Sequence, residues 1–184
     1  MLKTHTFTVR LATTEDLDVL GPLMEAAIEQ LQQGFLDPAQ IESSKAFMGM
    51  DRQLIEDATY FVVEIDGTIA GCGGWSRRAT LYGGDHSAGR DATLLDPAIE
   101  AARIRAMYTH PDFARRGVGR LVLEASETAA AAEGFKALEL MGTRSGRPLY
   151  EAYGFKAVAE FEDASGGVPV PMTLMRKPVT ATTV

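Results

Sequence analysis

Short apolar stretches rich in β-branched and aromatic residues predict seven strands along the chain. Asp66-Gly67 separates the second and third stretches, and this dipeptide predicts a tight hairpin between them. The predicted strands are residues 6–11, 60–65, 68–75, 102–109, 135–141, 155–161 and 168–175.

Other segments carry apolar residues every three or four positions, which predicts helices that bury one face. The first predicted helix begins at Thr13 or Thr14 and ends near Gly34. The others are a helical region over 38–57 interrupted near Gly49, a helix from about Gly117 to Gly134, and a short helix over 149–153. The polar, Gly-rich stretch 77–97 predicts a long loop, and the whole order predicts a mixed α/β fold.

Length and charge limit the domain count and the class of partner. The 184 residues, 46% of them hydrophobic, predict a single domain over 1–184 with its core in about 7–176. The net charge of −7 argues against a nucleic-acid or acidic membrane partner. A local basic cluster instead predicts a small anionic ligand; its members are Arg103, Arg105, Arg115, Arg116 and Arg120.

Cysteine and histidine usage predicts neither a disulfide nor a metal site. Cys72 is the only cysteine, and the three histidines lack metal-ligand spacing. Residues 1–7 contain no apolar signal-peptide core, and no apolar run approaches the roughly 20 residues of a membrane span. We therefore expect a cytoplasmic protein without a membrane partner.

The segment after the fourth predicted strand has the features of an anion site. The strand ends at Thr109, a turn follows, and the helix begins at about Gly117 with unpaired backbone N–H groups. Gly117 and Gly119 allow close approach to the backbone. The segment lacks a Walker A ending, and Val122 replaces the third glycine of a dinucleotide fingerprint. The alternative is that these are turn glycines beside solvated arginines.

The same segment resembles the central motif of the GNAT acetyltransferase superfamily in the spacing of its key positions, which are Met107, Thr109, Pro111, Gly117 and Gly119. Similar family elements occur in order at 9–13, 69–74 and 149–155, so the resemblance covers about 7–176. Ala114 departs from the Arg or Gln that usually opens the motif, and Arg115 or Arg116 would then supply the charge. The asparagine common before the late helix is replaced by the segment 144–148.

The resemblance implies a GNAT-type α/β fold with a mixed, mostly antiparallel sheet flanked by helices, and acetyl-CoA as co-substrate. Tyr150 would be the general acid for the leaving thiolate, with Tyr108 or Tyr153 as weaker substitutes. A backbone N–H near Met107 or Tyr108 would polarise the thioester carbonyl. The implied acetyl-CoA-binding residues are Met107, Tyr108, Thr109, Arg115, Arg116, Gly117, Val118, Gly119 and Arg120.

The implied reaction is direct attack by a primary amine of a small molecule on the thioester, and several points stay open. Arg103 occupies the strand position where some relatives carry a glutamate base; other base candidates are Glu25, Glu29, Asp85 and His86. Arg103 and Arg105 would either bind a substrate carboxylate or be surface charges on an edge strand.

Trp75 and the loop after it would line the acceptor pocket, or Trp75 would belong to the core. The alternatives to an enzyme are a non-catalytic acyl-CoA-binding or sensing module on the same fold and a nucleotide-binding regulatory domain. A homodimer is also compatible with the sequence.

Overall fold

The computed structural model describes residues 4–180, so residues 1–3 and 181–184 of the predicted domain lie outside the described residues. The strands are β1 (Phe7–Leu11), β2 (Tyr60–Ile65), β3 (Thr68–Ser76), β4 (Ala102–Thr109), β5 (Ala137–Thr143), β6 (Lys156–Asp163) and β7 (Val170–Pro178). The α-helices are α1 (Leu17–Gln30), α2 (Pro38–Ser44), α3 (Arg52–Glu56), α4 (Val118–Ala132) and α5 (Arg147–Tyr153).

The seven strands form one sheet in the order β1-β2-β3-β4-β5-β7-β6. All neighbouring strands are antiparallel except β4 and β5, which confirms the mixed, mostly antiparallel fold class. The parallel pair is short, because only Ala102 with Leu138 and Arg103 with Glu139 are in register. Beyond these two pairs β4 and β5 diverge, and the sheet opens at its centre.

Strand β2 shows why the sheet is covered on both faces. Val62 belongs to a cluster with Leu20 and Met24 of α1, whereas Val63 packs with Val122 of α4. Successive side chains of a strand point to opposite faces, so α1 and α4 lie on opposite sides of the sheet. Both valines are fully buried, which explains the continuous apolar run in this strand.

The local turn signals are confirmed at the β2–β3 hairpin. Asp66 and Gly67 have φ of 50° and 81°, the pair of positive values that a two-residue type I′ turn requires. The region 38–57 divides into α2 and α3 around Gly49, as predicted. None of the helices within residues 4–180 combines the length and the apolar character that crossing a membrane requires.

Several expectations need correction. Helix α1 ends at Gln30, and Gly34 lies in the following turn with a φ of 85°. The last three strands lie further along the chain than predicted: β5 covers 137–143 instead of 135–141, β6 covers 156–163 instead of 155–161, and β7 covers 170–178 instead of 168–175. Arg103 and Arg105 do not lie on an edge strand, because β4 is the fourth of seven strands.

Candidate active site

A cleft of ≈ 580 Å³ opens where β4 and β5 diverge. Its walls are the end of β4, the loop before α4, the first turn of α4, and the segment leading into α5. It brings together eight of the nine residues expected to bind acetyl-CoA: Met107, Tyr108, Thr109, Arg115, Gly117, Val118, Gly119 and Arg120. Arg116 is the ninth, and it does not line the cleft.

The loop between β4 and α4 exposes the start of the helix to the cleft. A 3-10 turn over Pro111–Phe113 follows β4, and Gly117 is the N-cap of α4 with a φ of 84°. No side chain caps this end of the helix. Since the first N–H groups of a helix have no internal partner, they are available to an anion in the cleft.

The two arginines of this loop and the arginine in the first turn of α4 have different surroundings. Arg116 places its guanidinium over the ring of Phe113, 5.5 Å from the centroid. Arg120 forms an ion pair with Glu124 at 3.0 Å. Arg115 lines the cleft and makes no hydrogen bond or ion pair with any residue in 4–180. Arg115 is therefore the loop cation that is free to meet a ligand.

Glycine is required at positions 117 and 119 for different structural reasons. Gly117 requires positive φ, and the space around its missing side chain is open. A Cβ at Gly119 would lie 2.5 Å from Cδ2 of Leu149. Gly119 therefore allows close contact between α4 and α5, in addition to lining the cleft.

A β-bulge interrupts β4 at the cleft. Cys72 pairs with Tyr108 and Gly74 pairs with Arg105, so β4 contains one residue more than β3 between these pairs. Ala106 adopts a φ of 50° there, and its carbonyl accepts a 2.7 Å hydrogen bond from the Tyr60 hydroxyl. A bulge leaves an extra residue outside the regular ladder and redirects its backbone groups. This irregularity adjoins Met107, where carbonyl polarisation is expected.

A second cavity of ≈ 80 Å³ adjoins the cleft. The segment 81–84 of the long loop lines it, together with Phe47 and Arg105. Trp75 is 1% exposed in the core and lines neither space. The two spaces share five lining residues, which are Met48, Met107, Tyr108, Thr143 and Tyr150.

Tyr150 lies where the cleft meets the smaller cavity, and it lines both spaces. The ring packs against Gly146, where an added Cβ would lie 2.8 Å from Cε2 of the ring. The hydroxyl makes no hydrogen bond with any residue in 4–180. The hydroxyl groups of the other four tyrosines all form hydrogen bonds: Tyr60 with Ala106, Tyr82 with Asp163, Tyr108 with Gly49 and Tyr153 with Glu127. Burial raises the pKa of Tyr150 to about 12, so the phenol keeps its proton at neutral pH.

A family model described as acetyltransferase (GNAT) domain matches residues 56–157, more than half of the chain. The chain belongs to the GNAT acetyltransferase family. The match includes the bulged strand, the loop before α4 and Tyr150. A comparison with curated proteins found no match.

Solved GNAT structures share the fold along almost the full chain. A GCN5-related N-acetyltransferase from Rhodopseudomonas palustris is 22% identical, covers 97% of this chain and 98% of its own, and has a TM-score of 0.70. The PaiA N-acetyltransferase of Thermoplasma acidophilum, in complex with coenzyme A, is 17% identical over 94% of this chain and 99% of its own, with a TM-score of 0.64. YncA of Salmonella typhimurium, a putative acetyltransferase with acetyl-CoA, is 16% identical over 97% and 96%, with a TM-score of 0.61.

In this GNAT chain the four candidate bases lie away from Tyr150. Glu29 pairs with Lys45, Asp85 pairs with Arg52, and the Nε2 of His86 lies 2.7 Å from the Lys45 carbonyl. Glu25 borders a groove beside α1, which shares the lining residue Gly49 with the adjoining cavity. Among residues 4–180, no Asp, Glu or His lines the cleft or the adjoining cavity.

Gln32 and Cys72 are among the cleft residues that the sequence analysis did not predict. Gln32 is 2% exposed, and its amide donates to the Ile28 carbonyl and the Ser44 hydroxyl while its Oε1 has no partner in the described chain. It lies four residues after Ile28, on the buried face of the predicted helix, but a polar side chain there gives no reason to expect burial. Cys72 also lines the cleft, and burial raises the pKa of its thiol to about 12.

Proposed function

We propose that this GNAT protein transfers the acetyl group of acetyl-CoA directly to a primary amine of a small molecule. A single domain over 1–184, with its core in about 7–176, would perform the reaction. The observation that carries the proposal is the Tyr150 hydroxyl, which has no partner in the described chain and stands where the cleft meets the adjoining cavity. One space would hold the thioester and the other the amine.

The cleft residues suit the charge and shape of acetyl-CoA. The open N-terminus of α4 and the free Arg115 would bind the pyrophosphate. Backbone groups of 107–109 would bind the amides of the pantetheine arm.

The reaction requires stabilisation of a developing oxyanion and a proton for the leaving thiolate. The redirected backbone at the β4 bulge would donate an N–H from Met107 or Tyr108 to the oxyanion. The amine nitrogen would attack the carbonyl carbon, the C–S bond would break, and the Tyr150 phenol would protonate the sulfur. The proton that the nitrogen loses on becoming an amide would then return the Tyr150 phenolate to the phenol. The protein would bind the amine in its neutral form, which is about one molecule in a thousand for a lysine-like group at pH 7.

The absence of a carboxylate or imidazole from the described cavity walls favours one second candidate, a non-catalytic acyl-CoA sensor on the same fold. The two candidates differ at Tyr150. An enzyme loses turnover in Tyr150→Phe, whereas a sensor keeps its acyl-CoA affinity and has no turnover to lose.

The first experiment is calorimetric titration with acetyl-CoA of the parent protein, Arg115→Ala and Arg116→Ala. The two variants remove equal charge from adjacent residues of one loop, but only Arg115 lines the cleft. Saturable binding that weakens in Arg115→Ala alone supports the proposed site. A parent protein that does not bind acetyl-CoA contradicts the proposed function.

A further inference from the structure

Arg105 is a buried cation on the wall of the 80 Å³ cavity. It is 4% exposed, and it extends from β4 toward the segment 80–84 of the long loop. Its guanidinium donates to the carbonyls of Thr80 and Gly83 and to the Asp51 carboxylate. These contacts account for three of the five N–H groups of a guanidinium, and no residue in 4–180 accepts from the other two.

The charge around Arg105 is only partly balanced. Asp51 is shared, because Arg90 also pairs with it at 2.8 Å while Arg105 pairs at 2.7 Å. Two guanidinium groups and one carboxylate leave the cluster with one net positive charge. Burial and the neighbouring Arg90 and Arg103 lower the pKa of Arg105, against the attraction of Asp51, yet an arginine stays protonated in proteins.

The remaining walls of the cavity offer no opposite charge. Among residues 4–180, Arg105 is the only ionised side chain on its lining. The hydroxyl of Tyr82, another wall residue, donates to the Asp163 carboxylate at 2.7 Å, and Asp163 itself does not line the cavity. An acceptor with a second ammonium group would therefore be repelled by the net positive charge of this wall. An acceptor with a carboxylate would be attracted to it and could accept the unused hydrogen bonds of Arg105.

We infer that the acceptor is a small amino acid, whose carboxylate binds Arg105 while its amine faces the junction at Tyr150. The volume of ≈ 80 Å³, room for about three water molecules, favours a short side chain. This inference rests on the proposed function for the amine, but the carboxylate site itself is independent of acetyl-CoA.

Binding of small probes tests the carboxylate site without any turnover. Propionate, propionamide and propylamine have similar size and differ in charge. We expect NMR titration of the parent protein to show saturable shifts for residues 81–84 with propionate, and at least tenfold weaker binding of the other two. Arg105→Met should lose propionate binding, and it leaves Asp51 paired with Arg90. Arg103→Met is the matched control, because Arg103 pairs with Glu139 and does not line the cavity.

Turnover provides the second readout, and it uses the wild-type protein in case Arg105→Met fails to fold. L-alanine, L-alaninamide, ethylamine and putrescine are compared as acceptors at equal concentrations of neutral amine. We expect kcat/KM for L-alanine to exceed the others at least tenfold. Equal binding of the three probes, or a preference for putrescine or the amide, overturns the inference. Acetyl-CoA binding without this preference overturns the inference alone, whereas propionate binding without acetyl-CoA binding overturns the proposed function and leaves only the carboxylate site at Arg105.

Discussion

The Tyr153 hydroxyl donates a 2.6 Å hydrogen bond to Oε2 of Glu127, which joins α5 to α4 behind the cleft. The other oxygen of Glu127 accepts from the Lys177 ammonium and from the backbone N–H of Thr180. One buried carboxylate thus ties together the helix that carries Tyr150, the helix that begins at the loop, and the segment after β7. Tyr150 and Tyr153 share one short helix but have opposite hydrogen-bonding states.

Tyr150→Phe should lower kcat by about 10²- to 10⁴-fold, the usual contribution of a general acid. The free energy of unfolding should stay unchanged, because the hydroxyl has no partner among the described residues. Steady-state kinetics and chemical denaturation check the two parts. If the variant retained the parental kcat, Tyr150 would not be the general acid.

Tyr153→Phe is the matched substitution with the reverse expectation. It should lower the free energy of unfolding by about 1 kcal/mol, because the bond to Glu127 is lost. Its kcat should fall much less than that of Tyr150→Phe. Equal losses of kcat in the two variants would indicate that helix position, and not the Tyr150 proton, limits the rate.

The carboxylate of Glu127 should make the free energy of unfolding depend on pH in the acidic range. Burial raises its pKa, but hydrogen bonds from Lys177, Tyr153 and Thr180 outweigh burial and place the pKa below the usual 4.5. The stabilisation is therefore complete above about pH 4.5 and is lost as pH falls through the lowered pKa. Glu127→Gln should show a shallower loss of unfolding free energy as the pH falls below about 4.5. Identical slopes in denaturation series would contradict this.

Arg115→Ala should weaken acetyl-CoA binding about tenfold, which corresponds to about 1.4 kcal/mol. The loss should shrink as salt rises, because Arg115 is exposed and its interaction with a phosphate is screened. Calorimetry at two ionic strengths measures both effects. Equal weakening in Arg116→Ala would point to the overall charge of the loop instead of a contact in the cleft.

Cys72→Ala should retain most of its kcat although Cys72 lines the cleft. A thiol with a pKa of about 12 supplies almost no thiolate at pH 8, so it is a poor nucleophile. Two-substrate kinetics should show intersecting lines, as expected for direct transfer. Parallel lines, together with an acetylated Cys72 in mass spectra, would instead indicate a covalent intermediate.

Local patterns predicted most of the fold. All seven strands were found with small shifts, since β-formers, turn residues and helical spacing act over a few positions. The diverging ends of β4 and β5 were not predictable, because they depend on which distant strands pair. The burial of Arg105 was missed for the same reason: its partner Asp51 lies 54 positions away. The resemblance identified nine residues that line the cleft, which are eight acetyl-CoA-binding candidates and Tyr150. Only the structure separated Arg115 from Arg116 and showed that the Tyr150 hydroxyl has no partner among the described residues.

The divergence of β4 from β5 after two residue pairs leaves a gap in the ladder at the centre of the sheet. Backbone donors and acceptors that border this gap have no neighbouring strand on that side. An extended ligand with its own amide groups can take the place of the missing strand, and the bound molecule then acts as part of the architecture. Occupancy should consequently protect the amides at the ends of both strands from hydrogen exchange and couple the two halves of the sheet.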